Sequence, residues 1–250
     1  MDRRQIFAGN WKMFKTGDEA EKLIKNLITG LNVKPGREYV VFPPATVLSR
    51  VSALCSGTLF KTGAQNMFHE KQGAFTGEIS PLMVKDCGAA FILVGHSERR
   101  HIFHETDDDV NLKVKSALEN GLEPMVCVGE LLVERESGET ERVLETQVKG
   151  AFSGLKSEDM SRISIAYEPV WAIGTGKVAT PEMAEEAHRM IRGLVKTLFG
   201  VETADVIPIL YGGSVKPDNI SGLYAMENID GVLVGGASLE ENSFLNIINI

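Results

Sequence analysis

Apolar residues fall along the chain in short uninterrupted runs, and between the runs hydrophobic positions return at helical spacing. The runs cover 6–8, 39–42, 59–63, 90–94, 124–128, 163–167, 208–211 and 231–234. Most are continuous rather than alternating, which predicts parallel strands covered on both faces. The first intervening helix repeats Ala20, Leu23, Ile24, Leu27, Ile28 and Leu31 on one face. Ser80-Pro81 predicts a capped helix start with Gly88 as its stop, and the acidic triplet Asp107, Asp108, Asp109 opens another helix before Gly121. Thr180-Pro181-Glu182 starts the longest helix, which ends near Gly200, followed by short helices over 217–224 and 243–250. No proline-, serine- or charge-rich linker interrupts the alternation. The expected fold is therefore α/β, a single domain over 1–250 closed into a (β/α)8 barrel.

Composition narrows the partners. The 250 residues are 43% hydrophobic and 24% charged, the proportions of an ordinary globular protein. Lys and Arg number 26 against 34 Asp and Glu, for a net charge of −8. That balance argues against nucleic acid or an anionic membrane as a partner, and any anionic ligand must be attracted by local groups. Cys55, Cys87 and Cys127 have neither disulfide nor zinc-site spacing, so a reducing compartment is expected. The first residues lack a signal-peptide core, and no run approaches the ~20 apolar residues of a membrane span. A cytoplasmic location is the expectation.

In a barrel of this kind the chemistry gathers where strands end and loops lead into helices. The first strand runs into Gly9-Asn10-Trp11-Lys12, where the lysine is either a solvated surface group or a fixed positive charge at the barrel mouth. The fourth runs into Gly95-His96-Ser97-Glu98-Arg99, and a histidine there is either structural or an acid–base group. His101 and His104 read as surface residues. The sixth ends in Tyr167-Glu168-Pro169, a carboxylate in apolar company and so a candidate base with a raised pKa. The segment that follows, Val170 to Lys177, begins with apolar residues and ends in glycines; it is either a tight connection or a lid. Gly212-Gly213-Ser214 and Gly235-Gly236-Ala237-Ser238 follow the last two strands, where glycine turns let main-chain amides approach a phosphate. Neither turn matches a dinucleotide or nucleotide fingerprint.

These stretches, together with Ala166 to Gly176, Tyr211 to Val215 and Val234 to Leu239, resemble the triosephosphate isomerase family, in order and over essentially the whole chain. The resemblance implies interconversion of dihydroxyacetone phosphate and D-glyceraldehyde 3-phosphate through an enediolate, in glycolysis and gluconeogenesis, with no metal or organic cofactor. It assigns Glu168 as the base that removes the proton beside the carbonyl. It assigns His96 as a neutral imidazole, its pKa lowered by the following helix, which shuttles a proton between the substrate oxygens. Lys12 would supply positive charge and Asn10 a hydrogen bond to the developing oxyanion. Amides of Gly174, Ser214, Gly235 and Gly236 would hold the phosphate, Ile173 and Leu233 would cover the base, and Glu98 and Cys127 would support the site from behind. The long third loop, from Gln65 to Glu78, would enter a neighbouring subunit, Thr76 approaching the partner subunit's first loop and Arg99 pairing with Glu78 across a homodimer interface. Phe14 departs from the asparagine that many family members carry there.

Three other readings compete. A Schiff-base aldolase would need a lysine desolvated inside the barrel, and Lys12 beside Asn10 and His96 suits an electrostatic role better. A metal-dependent hydrolase would use His96, His101 and His104, but the chain lacks alternating histidines on a strand. A non-catalytic scaffold would be expected to have lost Glu168, His96 or the lid.

Overall fold

The computed structural model describes residues 3–173 and 178–250. Eight strands, all parallel and in sequence order, close into a barrel in which the first pairs with the last. They are β1 (Gln5–Asn10), β2 (Arg37–Phe42), β3 (Phe60–Ala64), β4 (Phe91–Val94), β5 (Glu123–Val128), β6 (Ser164–Tyr167), β7 (Ile209–Tyr211) and β8 (Gly231–Val234). The continuous apolar runs have a direct cause, because both faces of each strand are buried in different cores. Ile6, Ala8, Val40, Phe42, Phe91, Leu93, Met125, Cys127, Ala166, Leu210 and Leu233 fill the barrel interior. Their neighbours in sequence, among them Phe7, Val41, Ile92, Val94 and Val126, face the surrounding helices.

Strand boundaries differ from the sequence expectation by at most two residues, and β8 coincides with it. Gly9 and Asn10 resemble a turn but extend β1, because they pair with Val41 and Phe42 of β2. Glu123 joins β5 through its N–H bond to the Ala90 carbonyl, 2.8 Å. Three helix starts follow the expected chemistry, and a fourth, at α1 (Gly17–Gly30), has a cap that the sequence reading did not name. In α1 Thr16 and Glu19 form a capping box, as Thr106 and Asp109 do for the helix Asp107–Glu119. Ser80 caps the helix Pro81–Asp86, and Thr180 caps the long helix Pro181–Phe199, which stops at Gly200 with φ 91°. The expected helix over 217–224 is shorter (Ile220–Tyr224), and the last runs Glu241–Ile248. Helices over Ala45–Cys55 and Thr140–Ala151 also belong to the layer, although no punctuation singled them out, and shorter ones cover Ser97–Ile102, Leu132–Glu136 and Val201–Val206.

Ion pairs tie the face opposite the strand ends. Arg4 reaches Glu38 at 2.6 Å and Glu123 at 2.7 Å, while Asp230 receives both Arg3 and Arg192. These contacts hold the barrel floor, away from the polar groups at the opposite mouth.

Candidate active site

The C-terminal ends of β1, β4, β6, β7 and β8 converge on a cavity of about 460 Å³, within the range that holds a small molecule. Asn10, Lys12, His96, Glu98, Glu168, Ile173, Ser214, Leu233, Gly235 and Gly236 all line it, as do Gly212, Gly213, Phe14 and Lys216. Every described residue of the expected catalytic and substrate-binding set is thus at one place. Gly174, with the rest of 174–177, lies outside the described residues.

Local structure explains each placement. Lys12 has φ 51°, a left-handed conformation that costs a non-glycine residue about 1–3 kcal/mol. Its N–H donates to Asn10 Oδ1 at 2.9 Å, and its carbonyl accepts from Gln65 Nε2 at 2.8 Å. Gln65 also donates to the Phe42 carbonyl, so the strained turn is clamped from two sides. The ammonium pairs with Glu98 at 2.6 Å. Glu98 therefore belongs to the cavity wall itself, rather than to a layer behind it as expected.

Glu168 is buried and both its oxygens are engaged. One lies 3.0 Å from His96 Nε2, and the other accepts the Ser97 N–H at 2.8 Å. Two glycines make room for it. A side chain on Gly129 would strike the Glu168 carbonyl, and one on Gly212 would meet its Cγ at 2.9 Å. The expected rise in the Glu168 pKa does not occur. Burial favours the neutral acid, but His96, the Ser97 amide and Lys12 outweigh it and hold the carboxyl below its ordinary range.

The His96 expectation is corrected in the same way. Burial disfavours its charged form, yet the adjacent Glu168 carboxylate raises the imidazole's pKa above its ordinary value. The ring nevertheless sits as a neutral tautomer in its hydrogen bonds: Nδ1 accepts the Glu98 N–H at 3.2 Å, which leaves the proton on Nε2 facing Glu168. Cys127 is fully buried in the barrel interior and touches Glu168; burial and that neighbouring charge push its thiol well above the usual range, so it stays neutral.

Two clusters went unnoticed in the sequence. Glu130, fully buried one residue after Gly129, accepts from Tyr167 Oη at 3.0 Å, Trp171 Nε1 at 2.8 Å and Arg135 Nη1 at 3.2 Å. It anchors the start of the segment that follows Glu168. A carboxylate directly after a strand was the signal that singled out Glu168, and Glu130, two residues past the end of β5, offered a weaker form of it. Buried Glu105 gathers Arg99 (3.1 Å), Lys113 and the Gly95 N–H (3.1 Å), fixing the loop that carries His96. His101 and His104 are exposed, as expected.

A second cavity, about 470 Å³, adjoins the first and shares Asn10, Lys12, His96 and Glu98 with it. Gln65, Glu78 and Arg99 also line it. Thr76 lies exposed on the excursion that follows β3.

A closed parallel barrel with acid–base side chains and glycine turns around one strand-end cavity defines a (β/α)8-barrel protein of the enzyme type. The family model for triosephosphate isomerase matches residues 5–250. The chain is 52% identical to the triosephosphate isomerase of Citrifermentans bemidjiense over 246 residues, 98% of each chain. It is 53% identical to that of Caldanaerobacter subterraneus subsp. tengcongensis over 248 residues, 99% of each, and 51% identical to that of Roseiflexus castenholzii, covering 99% of this chain and 97% of the relative. The chain belongs to the triosephosphate isomerase family.

Proposed function

We propose that the protein is an isomerase that interconverts dihydroxyacetone phosphate and D-glyceraldehyde 3-phosphate, the reaction named by its family, and that Glu168 is its base. The observation that carries this reading is the convergence of Glu168, His96 and Lys12 in one cavity walled by the two glycine turns.

Both Glu168 oxygens are occupied by His96 and Ser97. Proton abstraction therefore requires the carboxylate to turn from these partners toward the substrate carbon. Glu168 takes the proton beside the carbonyl, leaving an enediolate, and returns it to the neighbouring carbon. Once the carboxylate has turned away, burial, the Lys12 charge and the Glu98 amide favour the neutral ring, against the Glu98 carboxylate 3.6 Å from Nδ1, which favours the charged one. Its Nε2–H then donates to the substrate oxygens and passes a proton between them. Asn10 Oδ1 is committed to the Lys12 amide, so its side-chain NH2 is the group free to meet the oxyanion. Lys12 balances the developing negative charge.

The phosphate rests against the main chain of Ser214, Gly235 and Gly236, with Gly174 the further residue assigned to it. Ile173 and Leu233 supply apolar cover that excludes water from the base. No step calls for a metal or an organic cofactor. With both trioses as substrates, turnover should persist undiminished in the presence of a chelator, and absence of turnover in either direction would overturn the reading.

Assembly as a homodimer is part of this proposal. Thr76 and Glu78 stand on an exposed excursion, the second cavity next to His96 has the size to receive such a loop, and Met13, Phe75, Ile102 and Phe103 are large exposed apolar residues. Arg99 uses Nε on Glu105, which leaves its terminal nitrogens for Glu78 of the partner subunit. A cytoplasmic place in glycolysis and gluconeogenesis fits a chain in which no described helix is long and apolar enough to cross a membrane, and whose cysteines are all free.

A further inference from the structure

We propose that Lys216 steers the substrate's phosphate into the cavity, an inference that rests on the phosphate reading of the glycine turns. Lys216 lies just past Ser214, lines the same cavity as Gly235 and Gly236, and is exposed at its rim. Its main chain is fixed: its N–H donates to Asn219 Oδ1 at 2.8 Å, and Asn219 Nδ2 donates to the Ser214 carbonyl at 3.0 Å. Among the described residues its ammonium has no carboxylate partner.

Charge in the cavity makes this lysine consequential. The lining holds two carboxylates, Glu98 and Glu168, and two ammonium groups, Lys12 and Lys216. Lys12 is spent on Glu98 at 2.6 Å, so from outside the pair presents a dipole rather than a cation. Without Lys216 the lining would be net negative, within a protein of net charge −8, and would repel a phosphate dianion. With it the lining is balanced, and its unpaired cation stands on the wall that receives the phosphate.

The test compares wild type with Lys216→Gln and Lys216→Glu, using D-glyceraldehyde 3-phosphate at low ionic strength and with added salt. At low salt kcat/KM should fall roughly threefold for the neutral variant and roughly tenfold for the reversed charge, chiefly through KM, with the differences shrinking as salt rises. Inhibition by inorganic phosphate should weaken in the same order, and turnover of uncharged D-glyceraldehyde should not change. Unaltered kcat/KM and salt dependence, or an equal loss on D-glyceraldehyde, would overturn the steering role while leaving the isomerase reading intact. A wild-type protein that neither turns over the phosphorylated triose nor is inhibited by phosphate would refute the underlying phosphate site, and this role with it.

Discussion

His96 Nε2 stands 3.0 Å from Glu168 Oε1, while Nδ1 of the same ring accepts the Glu98 N–H. Each of the two side chains controls the other's protonation. Burial lowers the imidazole's pKa, and the Glu168 carboxylate is the chief neighbour that raises it, with Glu98 adding to the rise. Replacing it by Glu168→Gln should therefore move the His96 titration downward. Imidazole NMR across pH 5–9 would show a midpoint above the ordinary ~6.5 in wild type and below it in the variant. An unchanged midpoint would mean that Glu168 does not set the ring's charge.

Glu130 should matter although it is remote from the catalytic cavity's lining. Its carboxylate is the acceptor for Tyr167, Trp171 and Arg135 at the start of the segment after Glu168. Glu130→Ala leaves the buried Tyr167 hydroxyl without this acceptor and the Arg135 charge unpaired, at a cost of about 3–5 kcal/mol. Denaturant midpoints should drop accordingly, and Glu130→Gln should recover part of the loss by keeping one oxygen. Wild-type midpoints in both variants would remove the anchoring role.

His188, buried between Tyr167 and Tyr211, has its pKa pushed down to about 4 by burial. The unfolded chain binds a proton there from about pH 6.5 downward, and the folded chain does so only near pH 4. Stability is therefore unaffected above pH 6.5 and falls as pH drops from 6.5 toward 4, by about 3 kcal/mol for this one group. Urea unfolding at fixed protein concentration should show a shallower acid loss for His188→Gln than for wild type. Equal slopes would point to other groups.

Thr76→Lys should weaken self-association, because it places a charge at the tip of the excursion proposed to enter the neighbouring subunit. Sedimentation velocity should show a shift toward monomer, with activity falling in parallel. A dimer of undiminished affinity would place the interface elsewhere.

Phosphate binding offers a separate check. A side chain on Gly235 would meet Lys12 Cε at 3.4 Å. Gly235→Leu should weaken inhibition by inorganic phosphate by an order of magnitude or more, and unchanged inhibition would move the phosphate away from this turn.

Much of this arrangement could be read before the structure. The strands announced themselves because both faces of each are buried, so no polar alternation diluted the signal. Their polar ends supplied Lys12, His96 and Glu168 without any three-dimensional information. What remained hidden depends on contacts between distant segments. Gln65 clamps Lys12 and Phe42 only because three loops meet. The helix Ala45–Cys55 is rich in Ser, Thr and Val, and its stability comes from burying Val47, Leu48, Val51 and Cys55 rather than from its own propensity. The apolar neighbours of Glu168 in sequence suggested a rise in its pKa, whereas its pKa is lowered. The groups that decide it come from β4 and β1, where His96, Ser97 and Lys12 lie far away along the chain.

The assignment of Glu168 as base is tested most directly by steady-state kinetics of Glu168→Gln set beside its inhibition by inorganic phosphate. Turnover should fall by at least the ~10²–10⁴-fold typical of a lost general base, while the phosphate inhibition constant weakens by no more than about threefold, since the glycine turns are untouched. Turnover close to wild type, or equal losses in turnover and phosphate affinity, would contradict it.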